Sequence, residues 1–383
     1  MSFSSGEAES LSAIFARLIA STGPLSLQHY MGEANARYYA ARDPLGVAGD
    51  FITAPEISQV FGEMIGLWLA DMWVRAGQPA LIHYVELGPG RGTLARDVLR
   101  TMARFDMAPE VHFVETSLGL KDLQLQAVPQ AKFHNDLSTV PMAGPLLVVA
   151  NEFLDALPVR QLVRTPAGWR ERMVDYIDGA FVPIAGERPM DAAVPEDRRE
   201  APVGTIIETS PGATAVIYEL AGRLVAQGGT ALLIDYGYDS PRDGSTVQAV
   251  RRHAKTDPFF APGTADLSAL VDFATLRAVA ESRGAKCFGV TEQGEWLTAL
   301  GGAVRAELLA RSHPEHGTTI RTGFARLVDP AQMGALFKVM GLASPVWPAG
   351  EAFGAPVAGV MTALPPERDD PSQPPAGPSI RPV

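Results

Sequence analysis

The sequence predicts an α/β fold in which a mostly parallel β-sheet carries helices on both faces. Short apolar runs, such as residues 146–150, alternate along the chain with segments whose apolar residues recur at helical spacing. One unit, residues 81–100, passes from a strand pattern through three alternate glycines into a helix pattern. Strands that alternate with helices in this way form βαβ units, and these units place their strands in parallel.

The N-terminal part, residues 1–76, is predicted to form helices and a cover loop. Its predicted elements are a helix over residues 7–21, an irregular segment over 27–53 and a helix over 57–76. Pro55 and Glu56 precede the last helix, where proline and a negative charge favour a helix N-terminus. Long structured loops beside a core domain often cover a functional site. We therefore expect Asp50, Thr53 and Glu56 to face the substrate.

The main unit is predicted to span residues 77–363. After the first strand, loop and helix, the predicted strands cover residues 111–115, 131–134, 146–150, 229–236, 286–291 and 337–340. The predicted helices cover residues 118–128, 211–227, 267–282, 295–311 and 332–336. We expect an antiparallel β insertion near 159–209 and an irregular stretch over 244–272. Residues 364–383 lack apolar side chains to bury, so we expect a disordered tail.

Composition excludes several classes of function. The 383 residues are 46% hydrophobic and carry a formal net charge of −11, which disfavours binding to nucleic acid phosphates. One cysteine excludes an internal disulfide framework, and the seven histidines show no metal-binding spacing, so we expect no metal. No apolar run is long enough to insert into a membrane. The first thirty residues match neither a secretory signal nor a transit peptide, so we expect a bacterial cytoplasmic protein, or a matrix protein if eukaryotic.

The glycine loop predicts a nucleotide-type cofactor site. Gly88, Gly90 and Gly92 follow a strand and precede a helix, whose free N–H groups can bind a ligand at the carboxyl edge of the sheet. The dinucleotide pattern G-x-G-x-x-G requires the third glycine one residue later, which weakens an NAD interpretation. Glu86 closes the strand and completes the pattern E-x-G-x-G-x-G. The alternative is a glycine-rich turn that binds nothing.

Acidic and amide side chains end the neighbouring strands. Glu115 lies 23 residues after Gly92, where a carboxylate can accept hydrogen bonds from two ribose hydroxyls. Asn151 and Glu152 end an apolar strand, and Asp155 follows closely. Carboxylates at this edge suit a guanidinium, whose planar donors bind carboxylates in pairs, and one carboxylate could accept a proton. We interpret Glu152 and Asp155 as catalytic, although Asn151 or Asp155 could instead cap a helix.

Several stretches together resemble one family, the mitochondrial complex I assembly arginine methyltransferases and their bacterial MidA-like relatives. The matching stretches include G-D-F-I-T-A-P-E-I-S from Gly49, E-L-G-P-G-R-G-T-L from Glu86, N-E-F-L-D-A-L-P from Asn151, I-D-Y-G from Ile234 and P-G-T-A-D-L from Pro262. The resemblance implies a Rossmann-like class I methyltransferase fold that binds S-adenosylmethionine (SAM). It implies that the glycines make room for the cofactor, that Asp136 lies near the adenine amino group, and that Asn151 belongs to the cofactor site.

The leading hypothesis is a SAM-dependent protein arginine methyltransferase. The resemblance implies ω-N symmetric dimethylation of an arginine in a subunit of respiratory complex I, the NADH:quinone oxidoreductase. One alternative is a methyltransferase with another acceptor, and a second is an assembly chaperone that binds SAM without required catalysis. An NAD oxidoreductase ranks third, because its glycine spacing does not match. The expected partners are a protein substrate and, as an open possibility, a second copy of the chain.

Overall fold

The computed structural model describes residues 9–41, 53–117, 119–251 and 254–354. The helices are α1 Leu11–Thr22, α2 Leu27–Ala41, α3 Ala54–Ile57, α4 Gln59–Arg75, α5 Thr93–Ala103, α6 Lys121–Ala127, α7 Pro211–Gln227, α8 Phe273–Ser282, α9 Gln293–Ala299, α10 Gly302–Ser312 and α11 Gly317–Val328. The strands are β1 Leu25–Ser26, β2 His83–Leu87, β3 Glu110–Val114, β4 Lys132–His134, β5 Leu146–Asn151, β6 Arg160–Thr165, β7 Gly168–Ile177, β8 Ala180–Pro189, β9 Ile206–Thr209, β10 Gly229–Tyr238, β11 Gln248–Arg251, β12 Ala254–Thr256, β13 Asp266–Ser268, β14 Val271–Asp272, β15 Lys286–Glu292 and β16 Phe337–Ala343.

The central sheet has the strand order β4-β3-β2-β5-β10-β16-β15, with β14 paired to the end of β10. The strands from β4 to β10 are parallel, whereas β16 runs antiparallel to both of its neighbours. Strands β3 and β4 extend the sheet on one side of β2, and the chain then returns to place β5 on the other side of β2. This reversal of strand order opens a crevice at the carboxyl ends of β2 and β5, where α/β proteins bind ligands.

Apolar side chains fill both faces of the central sheet, as the predicted fold class requires. Every residue of β5 is buried, because this strand lies in the middle of the sheet with helices on either side. Tyr84 packs on one face in a cluster with Trp68 of α4, and Val85 packs on the other face with Leu220 of α7. The mostly parallel sheet with helices on both faces is therefore confirmed.

A second, antiparallel sheet contains β1, β7, β6 and β9 in that order, with β8 on the edge of β7. We call it the inserted sheet, because most of its strands lie between β5 and α7. Helices α1 and α2 pack against it through an aromatic group, in which the ring centroid of Tyr30 lies 5.2 Å from Phe15 and 5.9 Å from Phe181. The predicted antiparallel insertion is confirmed, and the N-terminal helices rest on it.

Helix α2 corrects the prediction of an irregular segment over 27–53. Within the described part of that segment, Leu27, Tyr30, Met31 and Ala34 are buried at helical spacing. The sequence signal is weak because glycine, asparagine and charged residues interrupt it, and α2 owes its order to tertiary packing. Residues 42–52, including the predicted cover residue Asp50, lie outside the described residues.

Three further predictions are corrected in the C-terminal half, and one helix there was missed. The stretch 244–272 contains the three-stranded sheet β12-β11-β13 instead of irregular structure alone. The helix predicted over 295–311 is two helices, because Gly301 adopts a left-handed φ of 83° and ends α9. Helix α11 was not predicted, and residues 332–336 form turns instead of a helix. Short helices with charged exposed faces give a weak periodic signal.

A buried ion pair joins α4 to α10. The side chain of Glu63 is 2% exposed, and its two carboxylate oxygens accept bonds from Nε and Nη2 of Arg305 at 2.7 and 2.8 Å. Arg100 of α5 lies 3.5 Å from the same carboxylate. The bidentate geometry supplies the charge compensation that a buried carboxylate requires.

None of the helices in the described part of the chain is long and apolar enough to cross a membrane.

We predict that Arg305→Met lowers the free energy of unfolding by roughly 3 kcal/mol, because it leaves the Glu63 carboxylate buried without its main partner. Urea denaturation followed by circular dichroism measures the change. Arg321→Met is the matched control, because the Arg321 pair with Glu307 lies at the surface between α10 and α11. Equal effects of the two substitutions would contradict the role assigned to the Glu63 pair.

Candidate active site

The glycine loop connects β2 to α5 in a left-handed backbone. Gly88, Gly90 and Gly92 have φ angles of 64°, 55° and 79°, which side-chain-bearing residues rarely adopt. A Cβ on Gly88 would lie 2.9 Å from the ring of Phe153, and one on Gly92 would lie 3.0 Å from the Cβ of Ala127. The loop therefore lies against both the end of β5 and helix α6, and α5 begins beside it without a side-chain cap on its first N–H groups.

Gln124 connects the glycine loop to Glu115. Its buried amide donates to the carbonyl of Gly90 at 2.8 Å and to Oε2 of Glu115 at 3.1 Å. The other carboxylate oxygen of Glu115 accepts a bond from the backbone N–H of Ser117 at 2.7 Å. Each carboxylate oxygen has a further lone pair, so Glu115 can still accept a ribose hydroxyl. Sequence reasoning missed Gln124, because an isolated glutamine on a polar helix carries no signal.

Two other predicted cofactor residues, Glu86 and Asp136, lie in different surroundings, since the first is buried and the second is exposed. Glu86 is buried within β2, where Tyr84 donates to its carboxylate at 2.5 Å and burial raises the pKa of Glu86 to about 8. Asp136 is exposed after β4, and one of its oxygens accepts bonds from the backbone N–H and the hydroxyl of Ser138. These bonds lower the pKa of Asp136. Asp136 caps a short turn, and its contact with adenine stays a prediction.

Glu152 stands in a strained turn directly after β5. Its φ is 51°, a conformation that costs about 1–3 kcal/mol in residues other than glycine and that recurs at functional sites. Its Oε1 accepts bonds from the backbone N–H of Ala54 at 3.3 Å and from the amide of Asn151 at 3.2 Å. Burial raises the pKa of Glu152 to about 7. A carboxylate with this pKa can exchange protons at neutral pH.

Asp235 holds this turn in place. Its Oδ2 accepts bonds from the backbone N–H groups of Phe153, Leu154 and Asp155 at 3.2, 2.9 and 3.2 Å, and its Oδ1 accepts one from Tyr236 at 2.9 Å. Burial and the nearby Glu152 raise the pKa of Asp235, whereas these donors lower it. Sequence reasoning did not assign Asp235 to the site, although it directly follows an apolar run, residues 231–234, as Asn151 follows residues 146–150.

A cavity of about 490 Å³ opens beside the turn. Its charged lining residues are the acidic Glu152, Asp155 and Asp266 and the basic Arg242 and Lys255, and Tyr39 and Thr53 also contribute. The pKa of Asp155 is raised well above its usual range, first by burial and then by the negative charges of its carboxylate neighbours. The three carboxylates outnumber the two basic side chains of the lining, and this balance favours a bound cation. Asp266 and Tyr39 were not predicted as site residues.

The N-terminal segment is bonded to both halves of the site. Thr53 lines the cavity and precedes α3, whose first residue Ala54 donates to Glu152. Glu56 accepts a bond from the hydroxyl of Thr93 at 2.6 Å, at the beginning of α5. Glu56 therefore braces the glycine loop, whereas Thr53 faces the cavity.

The donors and acceptors present suit a SAM-type cofactor. Asn151 Oδ1 is buried at the carboxyl end of β5 and has no hydrogen-bond partner among the described residues. The ammonium, ribose hydroxyls and adenine amino group of SAM are donors, and they can satisfy such an acceptor together with Glu115. The fit supports Asn151 as a cofactor ligand.

A group of side chains that could bind a metal ion lies on β2 and β3, towards the amino ends of these strands. It contains His83, Glu110 and His112. The two imidazole rings are 2.9 Å apart through Nδ1 of His83 and Nε2 of His112, a hydrogen-bonding distance, and His112 bonds His134 in the same way. Glu110 accepts a bond from Lys132 at 2.8 Å. We interpret the group as a hydrogen-bonded series of histidines.

Comparisons with known proteins agree with this geometry. Residues 64–291 match a protein family described as "Putative S-adenosyl-L-methionine-dependent methyltransferase". The chain is 39% identical to the mitochondrial "Protein arginine methyltransferase NDUFAF7 homolog" of Drosophila melanogaster, over 85% of this chain and 82% of that protein. It is 35% identical to the human mitochondrial "Protein arginine methyltransferase NDUFAF7", over 85% of this chain and 81% of that protein.

A solved structure is similar over almost the whole chain. It is a crystal structure of a Burkholderia thailandensis protein bound to S-adenosyl-homocysteine, with a TM-score of 0.77 and 26% sequence identity. The similarity covers 90% of this chain and 94% of that one. The bound molecule is what SAM becomes after it has donated its methyl group, so the likeness supports SAM as the cofactor here.

We predict that Gly90→Val abolishes measurable SAM binding in titration calorimetry, because valine disfavours the φ of 55° and adds bulk to the loop. Gly179→Val is the matched control. Gly179 has a φ of 86° in a turn of the inserted sheet, and a Cβ there would meet nothing within 4 Å. Both substitutions strain the backbone, but the control should retain SAM affinity. Unchanged SAM affinity in Gly90→Val would remove the loop from the cofactor site.

Proposed function

The chain belongs to this family of SAM-dependent methyltransferases, and we propose that it methylates an arginine side chain of a protein. The observation that carries the proposal is the cavity beside the turn after β5, which three carboxylates line, those of Glu152, Asp155 and Asp266, against two basic side chains. A guanidinium is planar, always charged and rich in donors, so it matches several carboxylates better than a neutral acceptor does.

Within this proposal, the cofactor is held at the carboxyl edge of β2 and β5. Glu115, Asn151 and the backbone of the glycine loop are the groups that would bind it, and Asp136 is the proposed neighbour of its adenine. When bound, SAM supplies an electrophilic methyl group on a sulfonium. The contribution of the protein is to place the acceptor nitrogen in line with that methyl group and to exclude water from the reaction.

Glu152 is the proposed general base. An arginine nitrogen must lose a proton when it gains a methyl group, and a carboxylate positioned beside it can accept that proton. The raised pKa of Glu152, about 7, makes it a stronger base than an exposed glutamate. Asp155 binds the cation, and Asp235 keeps both residues in place through the backbone of the turn.

We further propose that the acceptor arginine lies in a subunit of respiratory complex I, as the family resemblance implies. The names of the relatives support an arginine acceptor and describe mitochondrial proteins. The test compares complex I subunits from cells with and without this gene by peptide mass spectrometry. Loss of a methylarginine in the deletion strain, restored by the native gene, is the expected result. A methyl group found only on a small molecule would contradict the proposal.

An assembly role independent of catalysis is the second candidate. A strain that carries Glu152→Ala separates the two, since it should keep the protein but lose the methylation. Complex I that assembles normally in this strain would favour scaffolding by the protein over the modification itself.

We predict that kcat/KM for methyl transfer rises as the pH increases through about 7. Glu152 must be ionised to accept a proton, and burial raises its pKa to about that value, so the activity is low below it and levels off above it. Glu152→Gln should lower kcat by about 100-fold or more and remove this dependence. Glu110→Gln, at the far edge of the sheet, is the matched control. A Glu152→Gln enzyme with native kcat would contradict the assignment.

A further inference from the structure

The small sheet β12-β11-β13 forms one wall of the cavity beside the turn after β5, which we call the acceptor cavity. Across this sheet, Val250 of β11 pairs with Lys255 of β12 on one side and with Asp266 of β13 on the other. Residues paired in antiparallel strands direct their side chains to the same face of the sheet. That face lines the cavity through Gln248, Val250, Lys255, Asp266 and Ser268.

Asn35 of α2 fixes the direction of the backbone groups in β13. Its amide nitrogen donates to the carbonyl of Leu267 at 2.8 Å, and its oxygen accepts a bond from the N–H of Leu267 at 3.0 Å. Both backbone groups of Leu267 therefore face α2. Because the direction of these groups alternates along a strand, those of Asp266 and Ser268 face β11.

The same alternation leaves the outer edge of β12 open. Val250 lies opposite Asp266, so its N–H and C=O face β13 and not β12. Val250 and Lys255 are therefore a pair without hydrogen bonds, and the N–H and C=O of Lys255 point away from the sheet. No residue in the described part of the chain bonds to either group. Free groups of this kind on an edge strand can pair with another chain.

The lining of the acceptor cavity is positive at this edge and negative at the turn. Lys255 and Arg242, which follows β10, are exposed, and neither forms a hydrogen bond or an ion pair with a described residue. Glu152 and Asp155 supply the negative charge at the turn. A lysine on an edge strand disfavours pairing with a basic chain, whereas an acidic side chain placed opposite it stabilises the pair.

We propose that the substrate binds in an extended conformation as an added antiparallel strand on β12. Its backbone bonds the N–H and C=O of Lys255, and an acidic residue on the carboxyl side of the acceptor arginine faces Lys255 and Arg242. In strand addition, backbone bonds contribute affinity and the alternate side chains contribute specificity. The inference rests on the proposed function, because it names the class of peptide that presents the arginine.

The order of arginine and acid follows from the direction of the strands. The N–H of Ala269, just after β13, donates to the carbonyl of Asp155 at 3.0 Å, so the turn lies at the end of the sheet where β13 ends. Strand β12 also ends there, because β13 and β12 are both antiparallel to β11. An added antiparallel strand begins at that end, so its earlier residues lie nearer to Glu152 and Asp155.

The test measures peptide binding separately from methyl transfer. Protein saturated with S-adenosyl-homocysteine is titrated with fluorescein-labelled nine-residue peptides, and the anisotropy is recorded. The first peptide has a central arginine, an aspartate two positions later, which is on the same face of a strand, and threonine elsewhere. Replacement of its aspartate by asparagine should weaken binding about threefold. Methylation of the aspartate backbone nitrogen should weaken binding about tenfold, because it removes the donor that faces the carbonyl of Lys255.

Two variants separate the charge from the backbone. Lys255→Met keeps the outward N–H, so it should abolish the preference for aspartate over asparagine and change the affinity for the asparagine peptide little. Lys255→Pro also removes the N–H, and proline is tolerated on an edge strand where that group faces outward, so it should weaken both peptides. Lys286→Met is the matched control, because Lys286 is an exposed lysine on the edge strand β15 of the central sheet. It should retain native affinities.

Three results would overturn the inference. They are equal affinities of the native protein for the aspartate and asparagine peptides, native affinity for the N-methylated peptide, and an undiminished preference for aspartate in Lys255→Met. A methylarginine found in a complex I subunit alongside any of these would leave the proposed function standing. Conversely, binding that depends on the edge of β12 and on the acidic residue, without methylation of any protein, would retain the docking site and contradict the proposed function.

Discussion

The carboxylate of Asp235 is the constraint on which the site depends. It lies in the second half of β10, and its three bonds from the backbone N–H groups of Phe153, Leu154 and Asp155 hold the turn after β5, where Glu152 has a left-handed conformation. Strain of this kind persists only where the surrounding structure over-determines it. Because β5 and β10 are parallel neighbours, the turn and the residue that holds it arrive at the same edge.

The same turn links the cofactor side of the crevice to the acceptor side. Asn151 precedes it and Phe153 packs against Gly88 of the glycine loop, whereas Glu152 and Asp155 face the acceptor cavity. Burial of these carboxylates is unfavourable for folding, since each is costly to ionise away from water. The protein tolerates that cost at the position where a cationic substrate would offset it.

Sequence alone was sufficient for the features that depend on local pattern. The alternating strands and helices, the glycine loop and the polar ends of β3 and β5 follow from periodicity and strand-end position. It was insufficient where contacts join distant segments. Tyr39 and Asp266 are 227 residues apart, and nothing near either residue shows that they meet. Helix α2 and the small sheet β11 to β13 were missed for the same reason, because tertiary packing stabilises them more than propensity does.

The separation between Asn35 and Leu267 also bears on how the molecule assembles. The glycine loop, Glu115 and Asn151 lie close together in sequence, so contacts among them close short loops. The acceptor cavity requires contacts between residues 232 positions apart. Closing a long loop costs more entropy and slows the step that requires it. The contacts of the acceptor cavity therefore depend on more of the chain than those of the cofactor crevice do, and they form only when β13 has joined α2.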